Sequence, residues 1–183
     1  NGSSQVLSMK LKVSDNQFLE YRYEMTDDFM VNFAVRSQGL SNIINSSNPI
    51  NLDWSLKGYR HEKSLRTENT MYSYYYYKSD NEVDYLGLED NDIVNDVDWV
   101  SYKQHFFSSI LLSDTPFNNA AIASVDLVED EAIDSVFTKQ YSLKTPLALK
   151  SGELNYDMKW YYGPSDYKKL SKYEGTDLNE TAD

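Results

Sequence analysis

The residues of this chain whose types suit chemistry are two histidines, His61 and His105, and two acidic runs at 89–98 and 129–134. Imidazole titrates near neutrality and can act as a general base or a metal ligand. Two histidines this far apart fall short of most metal sites, and a lone histidine on a strand is ordinarily satisfied by its neighbours. The run LEDNDIVNDVDW offers carboxylates at Glu89, Asp90, Asp92, Asp96 and Asp98, the oxygen-rich setting a hard cation wants. Its spacing fails for an EF-hand loop. Counted from Asp90, Val94 stands where an oxygen ligand is required and Asn95 where Gly is required. The run reads as a solvated connection, and Glu129, Asp130, Glu131 and Asp134 read as a turn or a helix start. There is no Cys, which removes disulfides, thiolate metal sites and thiol catalysis together. No nucleophile elbow, phosphate loop or dinucleotide fingerprint occurs. The expectation is no catalytic residue, no metal and no cofactor.

Charge narrows the partners. The net charge is −12 with a pI near 4.5, so binding nucleic acid would need a concentrated basic stripe. The densest basic segment interleaves Lys57, Arg60, Lys63 and Arg66 with Glu62 and is followed by Glu68. Mixed charge of this kind is not a phosphate track, and nucleic acid is not an expected partner. No stretch approaches the roughly 18 apolar residues of a membrane span. The chain opens at Asn1 with no initiator Met and no apolar leader, so it reads as a soluble piece of something longer.

The elements that must position these residues are strands. Sixteen Tyr against 7 Gly and 4 Pro is a strand-rich signature. Alternation at 6–13 and 18–25 predicts a hairpin, with a third strand at 29–35 after the turn-like Thr26, Asp27 and Asp28. A polar loop at 39–49 leads to a strand at 50–56, a short helix is expected within 59–69, and further strands at 82–88, 120–128, 136–143 and 154–162. The length suits one domain at 1–174 with a polar tail at 175–183. The sum is an all-β fold, an antiparallel β-sandwich with a few short helices.

Two stretches carry more detail. DWVSYKQHFFSSILL fits two short strands with an irregularity near His105; Trp99, Ser101, Lys103, His105 and Phe107 share a face, which places Trp99 and Phe107 in the core and leaves His105 a bystander. In WYYGPSDYKKL an aromatic strand ends at Gly163 and Pro164, Gly allowing an unusual dihedral and Pro stopping the ladder. Ser165 or Asp166 then caps a helix carrying Tyr167, Leu170 and Tyr173 on one side. The aromatic runs at 72–77 and 160–162 are the richest source of contact rings, with Tyr75, Tyr77, Trp160 and Tyr161 as candidate binding residues bordering a groove for an extended chain.

These two stretches together resemble the large periplasmic domain of the bacterial YidC-type membrane protein insertases, in particular the Bacteroidetes branch. The matching positions are Trp99, Val100, Lys103, Gln104, Phe106 and Phe107, then Tyr162, Gly163, Pro164, Tyr167 and Leu170. LDWSLKGYRHEKSLRTENTMYSYYYYK resembles the family's middle region, and the likeness runs from about Val6 to Glu174. Many relatives place Gly–Gly before the Trp where this chain has Val97–Asp98, so the turn into that strand is expected to differ. The resemblance implies an extended super-sandwich like that of galactose mutarotase, on the periplasmic side of the inner membrane. It implies a noncatalytic interaction domain that assists insertion and folding of inner-membrane proteins. Its partners would be translocon-associated membrane proteins and nascent membrane-protein substrates, with membrane attachment through segments absent from this chain. The first transmembrane helix, the opening strands of the periplasmic domain and the C-terminal insertase core would also lie outside it. Competing readings are a carbohydrate-binding or mutarotase-like domain and a surface adhesin; fold likeness alone transfers no activity.

Overall fold

A computed structural model describes residues 4–25, 28–44, 47–80, 82–87 and 89–173. Its strands are β1 (Gln5–Ser14), β2 (Gln17–Met25), β3 (Met30–Gln38), β4 (Ile50–Tyr59), β5 (Tyr74–Ser79), β6 (Glu82–Leu86), β7 (Asp90–Val94), β8 (Val97–Lys103), β9 (Phe107–Phe117), β10 (Ala120–Asp126), β11 (Phe137–Leu147) and β12 (Asn155–Pro164). Helix α1 (Leu65–Thr67) runs on into a π-helical turn (Glu68–Tyr72), and α2 (Tyr167–Leu170) into a 3₁₀ turn (Ser171–Tyr173). The strands form an eight-stranded sheet, ordered β1-β2-β3-β12-β9-β8-β5-β6, and a four-stranded sheet, ordered β4-β11-β10-β7. Every pairing between these strands is antiparallel. The all-β expectation and the first hairpin are observed as read.

The main core lies between the sheets, where period-2 alternation sends one side of each strand inward. Trp54 of β4 stacks on Tyr102 of β8 at 3.9 Å and meets Trp160 of β12 edge-on at 4.6 Å. Tyr102 in turn stacks on Tyr141 of β11 at 5.1 Å. Buried phenols need partners for their hydroxyls: Tyr102 donates to the Trp54 carbonyl at 3.1 Å and Tyr141 to that of Lys103 at 3.0 Å. A second cluster, Trp99, Ile110, Tyr161 and Leu170, lies on the other face of the large sheet beneath α2, whose start Asp166 caps by accepting from Lys169 N at 3.2 Å. Central strand β8 is therefore buried on both sides.

Several expectations are corrected. Residues 89–97 are not simply a connection: Asp90–Val94 forms β7, paired with β10 at the rim of the small sheet. An edge strand there keeps its carboxylates in water, so pairing overrides the low strand propensity of Asp and Asn. The helix expected within 59–69 starts only at Leu65, with Ser64 as its cap, and continues through the π-helical turn to Tyr72. Phe107 is 52% exposed rather than buried. The chain bends at 104–106, Gln104 N donating to Phe107 O at 2.9 Å, so Phe107 opens a new strand and does not continue the face of Trp99. At Gly163 the requirement is room, not an unusual dihedral: a Cβ there would lie 2.6 Å from the Tyr161 ring and 2.9 Å from Phe29. β12 does end at Pro164, as expected, with Pro164 opposite Phe107 as the last pair of the ladder with β9. Val97 and Asp98 lie inside β8, and the left-handed residue of the turn that enters it is Asp96 (φ 51°), a conformation Asp tolerates. Thr26, Asp27, Leu88 and the tail at 175–183 lie outside the described residues.

Candidate functional site

Several of the groups capable of chemistry are engaged in the fold. His105 is no bystander: its Nδ1 lies 3.0 Å from Glu62 Oε1, and its ring is stacked between Tyr72 at 3.8 Å and Phe106 at 3.9 Å. His61 approaches the other end of this stack, edge-on to Phe106 at 5.7 Å, so the fold gathers two histidines that the sequence separates. The fully buried Glu68 accepts from the backbone N–H groups of His61 at 2.9 Å and Glu62 at 2.6 Å, pinning the loop ahead of α1. Among the described residues, no three His, Cys, Asp or Glu side chains gather in a way that could hold a metal ion. An open hollow of about 600 Å³ beside Arg60 and Glu131 offers little more. Arg60 donates to the carbonyls of Glu62, Lys63 and Ile133, and Glu131 accepts from Ser64 Oγ and Arg66 N.

The aromatic runs supply two surfaces, though not through the rings singled out above. Tyr75 and Tyr77 point into the main core opposite Tyr102 and Val100, and Tyr161 is covered by α2, Phe29 and Tyr173. Burial pushes the Tyr161 phenol up to about 12, and its hydroxyl donates to Pro164 O at 2.8 Å. Alternation alone could not say which face of the tyrosine strand meets the second sheet. The outward rings are Tyr74 and Tyr76 of β5 and Tyr85 of β6, mutually 5.7–6.0 Å apart, with Lys103 Nζ 5.7 Å from the Tyr76 ring. Trp160, half-buried, packs against the main core, 4.6 Å from Trp54 and 6.2 Å from Phe33. Gln104 has a role that spacing did not reveal: its Oε1 accepts from Tyr59 N at 3.1 Å, closing that end of the outer edge of β4.

The second surface is the overhang of the large sheet. The small sheet ends at β4, while β1 and β2 extend past it. Leu7 lies opposite Tyr23 and Phe33 across the strands, Met9 opposite Tyr21 and Val35, and Leu11 opposite Leu19. This face is mostly apolar, yet Leu7, Met9, Leu11 and Val13 are 48–72% exposed. The reverse face is polar, with Lys10 3.6 Å from Glu20 and Arg22 3.0 Å from Glu24. Two hollows of about 440 and 410 Å³ lie along the apolar side, the larger lined from Gln5 to Val31 and the other walled by Ile43, Ile44, Ile50 and Leu52. Covering one such side chain is worth roughly 1.5–3 kcal/mol, so leaving four of them wet forgoes a large stabilisation.

Comparison with known proteins fits this architecture. The family model described as "YidC periplasmic domain" matches residues 2–183. The "Membrane protein insertase YidC" of Phocaeicola vulgatus is 27% identical over 98% of this chain and 29% of its own length. That of Porphyromonas gingivalis strain W83 is 30% identical over 91% of this chain and 27% of its own. The chain thus spans less than a third of the curated relatives it matches. A solved structure, heparan sulfate lyase HepC from Pedobacter heparinus, superposes on 88% of the chain and 20% of its own with a TM-score of 0.42 and 9% identity, a likeness too low to argue from. The match along nearly the whole sequence, over residues that include the Trp99 and Gly163 stretches, places this chain in the YidC periplasmic domain family.

Proposed function

We propose that this domain is a noncatalytic interaction module of a bacterial inner-membrane insertase, helping membrane proteins insert and fold from the periplasmic side. The observation that carries this is the family match over residues 2–183. The engagement of His105 with Glu62 and of Arg60 with backbone carbonyls accords with a role through surface contact. We read the long sheet overhanging a short one as the extended super-sandwich of the galactose-mutarotase kind, without that activity. The contact surface is the outer patch of Tyr74, Tyr76 and Tyr85 with Lys103. Rigid rings give contact area at low entropy cost, and the Tyr74 hydroxyl is fixed by donating to the Thr70 carbonyl. The partners are translocon-associated membrane proteins or nascent membrane-protein segments, and the net charge of −12 disfavours anionic ones.

Photoreactive residues at Tyr76 and Tyr85 of the full-length membrane protein test this. Capture of a nascent inner-membrane chain or a translocon component is the expected result. If neither position captures one while positions elsewhere on the domain do, the surface assignment fails; sugar-anomer interconversion above a buffer blank would overturn the noncatalytic reading.

A further inference from the structure

We propose, resting on the membrane setting of the reading above and not on its tyrosine surface, that the turns carrying Phe106, Phe107 and Tyr167 lie on an anionic lipid surface while the turns at the opposite ends of the strands stay in water.

The two sets of turns differ in kind. On one side β8 bends into β9 at 104–106, β12 passes from Pro164 toward α2, and Tyr59 closes β4 opposite Phe137. Hydrogen bonds gather these segments. Gln104 N donates to Phe107 O at 2.9 Å, Ser165 N to Phe106 O at 2.8 Å, and Tyr59 N to Gln104 Oε1 at 3.1 Å. Here Tyr59, Phe106, Phe107, Val136 and Tyr167 are 52–64% exposed. At the opposite ends of the strands, the turns at 95–96, 118–119 and 150–153 consist of Asn, Asp, Lys, Ser, Gly and Glu, with Asp96, Asn119 and Ser151 in the left-handed region. Two of them are tied together: Asn119 N donates to Asn95 Oδ1 at 2.8 Å and Asp96 N to Asn118 Oδ1 at 3.2 Å. Short polar turns therefore suffice to join these strands, and the aromatic load of the first set is not a demand of the fold.

Nor do those rings serve a core. Tyr59, Phe106, Phe107 and Tyr167 belong neither to the main core nor to the cluster beneath α2. The stack of Tyr72, His105 and Phe106 stiffens the 104–106 bend and still leaves Phe106 half in water.

Charge selects the occupant. On a chain of net −12, exposed lysines stand beside these rings: Lys57 Nζ is 6.0 Å from the Phe137 ring, and Lys168 and Lys169 follow Tyr167 on α2. The neighbouring carboxylates are engaged, Glu62 with His105 Nδ1 at 3.0 Å and Asp166 with Lys169 N at 3.2 Å. Glu129 to Asp134 belong to the β10–β11 connection and border this region on the small-sheet side, where Glu131 accepts from Ser64 and Arg66. The opposite turns carry Asp80, Asp96 and Glu153. An anionic surface attracts the lysines and repels those carboxylates, which orients the domain. Rings set among lysines suit the headgroup layer, where aromatic side chains sit at the interface and lysine stems reach past them to the charged groups.

The test uses full-length protein in phosphatidylcholine vesicles containing phosphatidylglycerol, spin-labelled singly at Phe107→Cys, Tyr167→Cys, Asn119→Cys or Ser151→Cys in a background without other cysteines. Power saturation reads collisions with oxygen, which concentrates in lipid, and with a water-soluble nickel chelate. Labels at 107 and 167 should meet the chelate at least about fivefold less often than those at 119 and 151, and meet oxygen more often. Equal chelate access on both sides overturns the proposal. So does a label at 107 shielded from both probes, the mark of cover by protein. Omitting phosphatidylglycerol, or combining Lys168→Glu with Lys169→Glu, should restore chelate access at 107; shielding that persists in both cases overturns the anionic assignment. The tyrosine surface is read separately, by capture at Tyr76 and Tyr85, so either can fail alone.

Discussion

The two ends of this sandwich share one sequence grammar and differ in what it meets. In the closed part, β4 and β11 lie over β12 and β8, and Trp54, Tyr102, Trp160 and Tyr141 form a continuous ring-to-ring contact with both tyrosine hydroxyls satisfied. In the overhang, β1 and β2 alternate just as regularly, but their apolar side meets water. Alternation therefore specifies that a face is to be covered, and topology decides whether it is.

The sharpest way to break this contrast is to truncate residues on either side of it. Trp99→Ala, at a side chain with no exposure, is expected to cost about 3–5 kcal/mol in urea denaturation. Phe107→Ala and Leu11→Ala, at 52% and 72% exposure, should stay within about 0.5 kcal/mol. A large loss at Leu11 would mean the overhang is already covered. A smaller effect is expected from Gly163→Ala, where the added methyl must displace the Tyr161 ring or Phe29; overpacking of this kind costs about 1–3 kcal/mol. An unchanged midpoint would show that the cover over Tyr161 yields easily.

The smallest effect is an acid one. Glu153 accepts from Ser37 Oγ, from Leu40 N at 2.7 Å and from Ser41 N at 3.0 Å, and these bonds, Ser37 first, hold its carboxyl below the ordinary value of 4.5. A depressed folded pKa stabilises the fold above the unfolded value, and that contribution fades as pH falls through the folded one. Exchange of the Leu40 and Ser41 amides should therefore quicken below about pH 4.5 and be insensitive to pH titration of this group above it, apart from the intrinsic dependence of exchange. Glu153→Gln should remove the acid step; its persistence would assign the step to another carboxylate.

Much of the fold was legible because its strands are long and regular. The hairpin of β1 and β2 needs only period-2 alternation and a short polar turn. The pair of strands around Gln104 was legible as an irregularity, but not the consequence that Phe107 turns outward, since a bend changes which residues share a face. β7 was hidden by its carboxylates, which are compatible with a strand only at a sheet rim. The surface aromatics were legible as a class and misassigned as individuals. Tyr75 and Tyr76 are equivalent by spacing, and only pairing with β8 sends one inward. Tyr161 does point away from the main core, yet α2 covers it, a long-range fact that no local pattern contains.

The position of β12 also has a temporal consequence. It is the last strand among the described residues, yet it lies between β3 and β9, and contacts such as that of Arg36 with Asp157 at 2.5 Å join positions 121 residues apart. The first three strands form a local meander that the ladder ties to the other strands of its sheet only through β12. Closing so long a loop is slow, and chain emerging in order presents β1 to β3 well before their neighbour exists. During that interval the meander is an unattached sticky sheet, and whatever reaches its apolar side first acts as its chaperone.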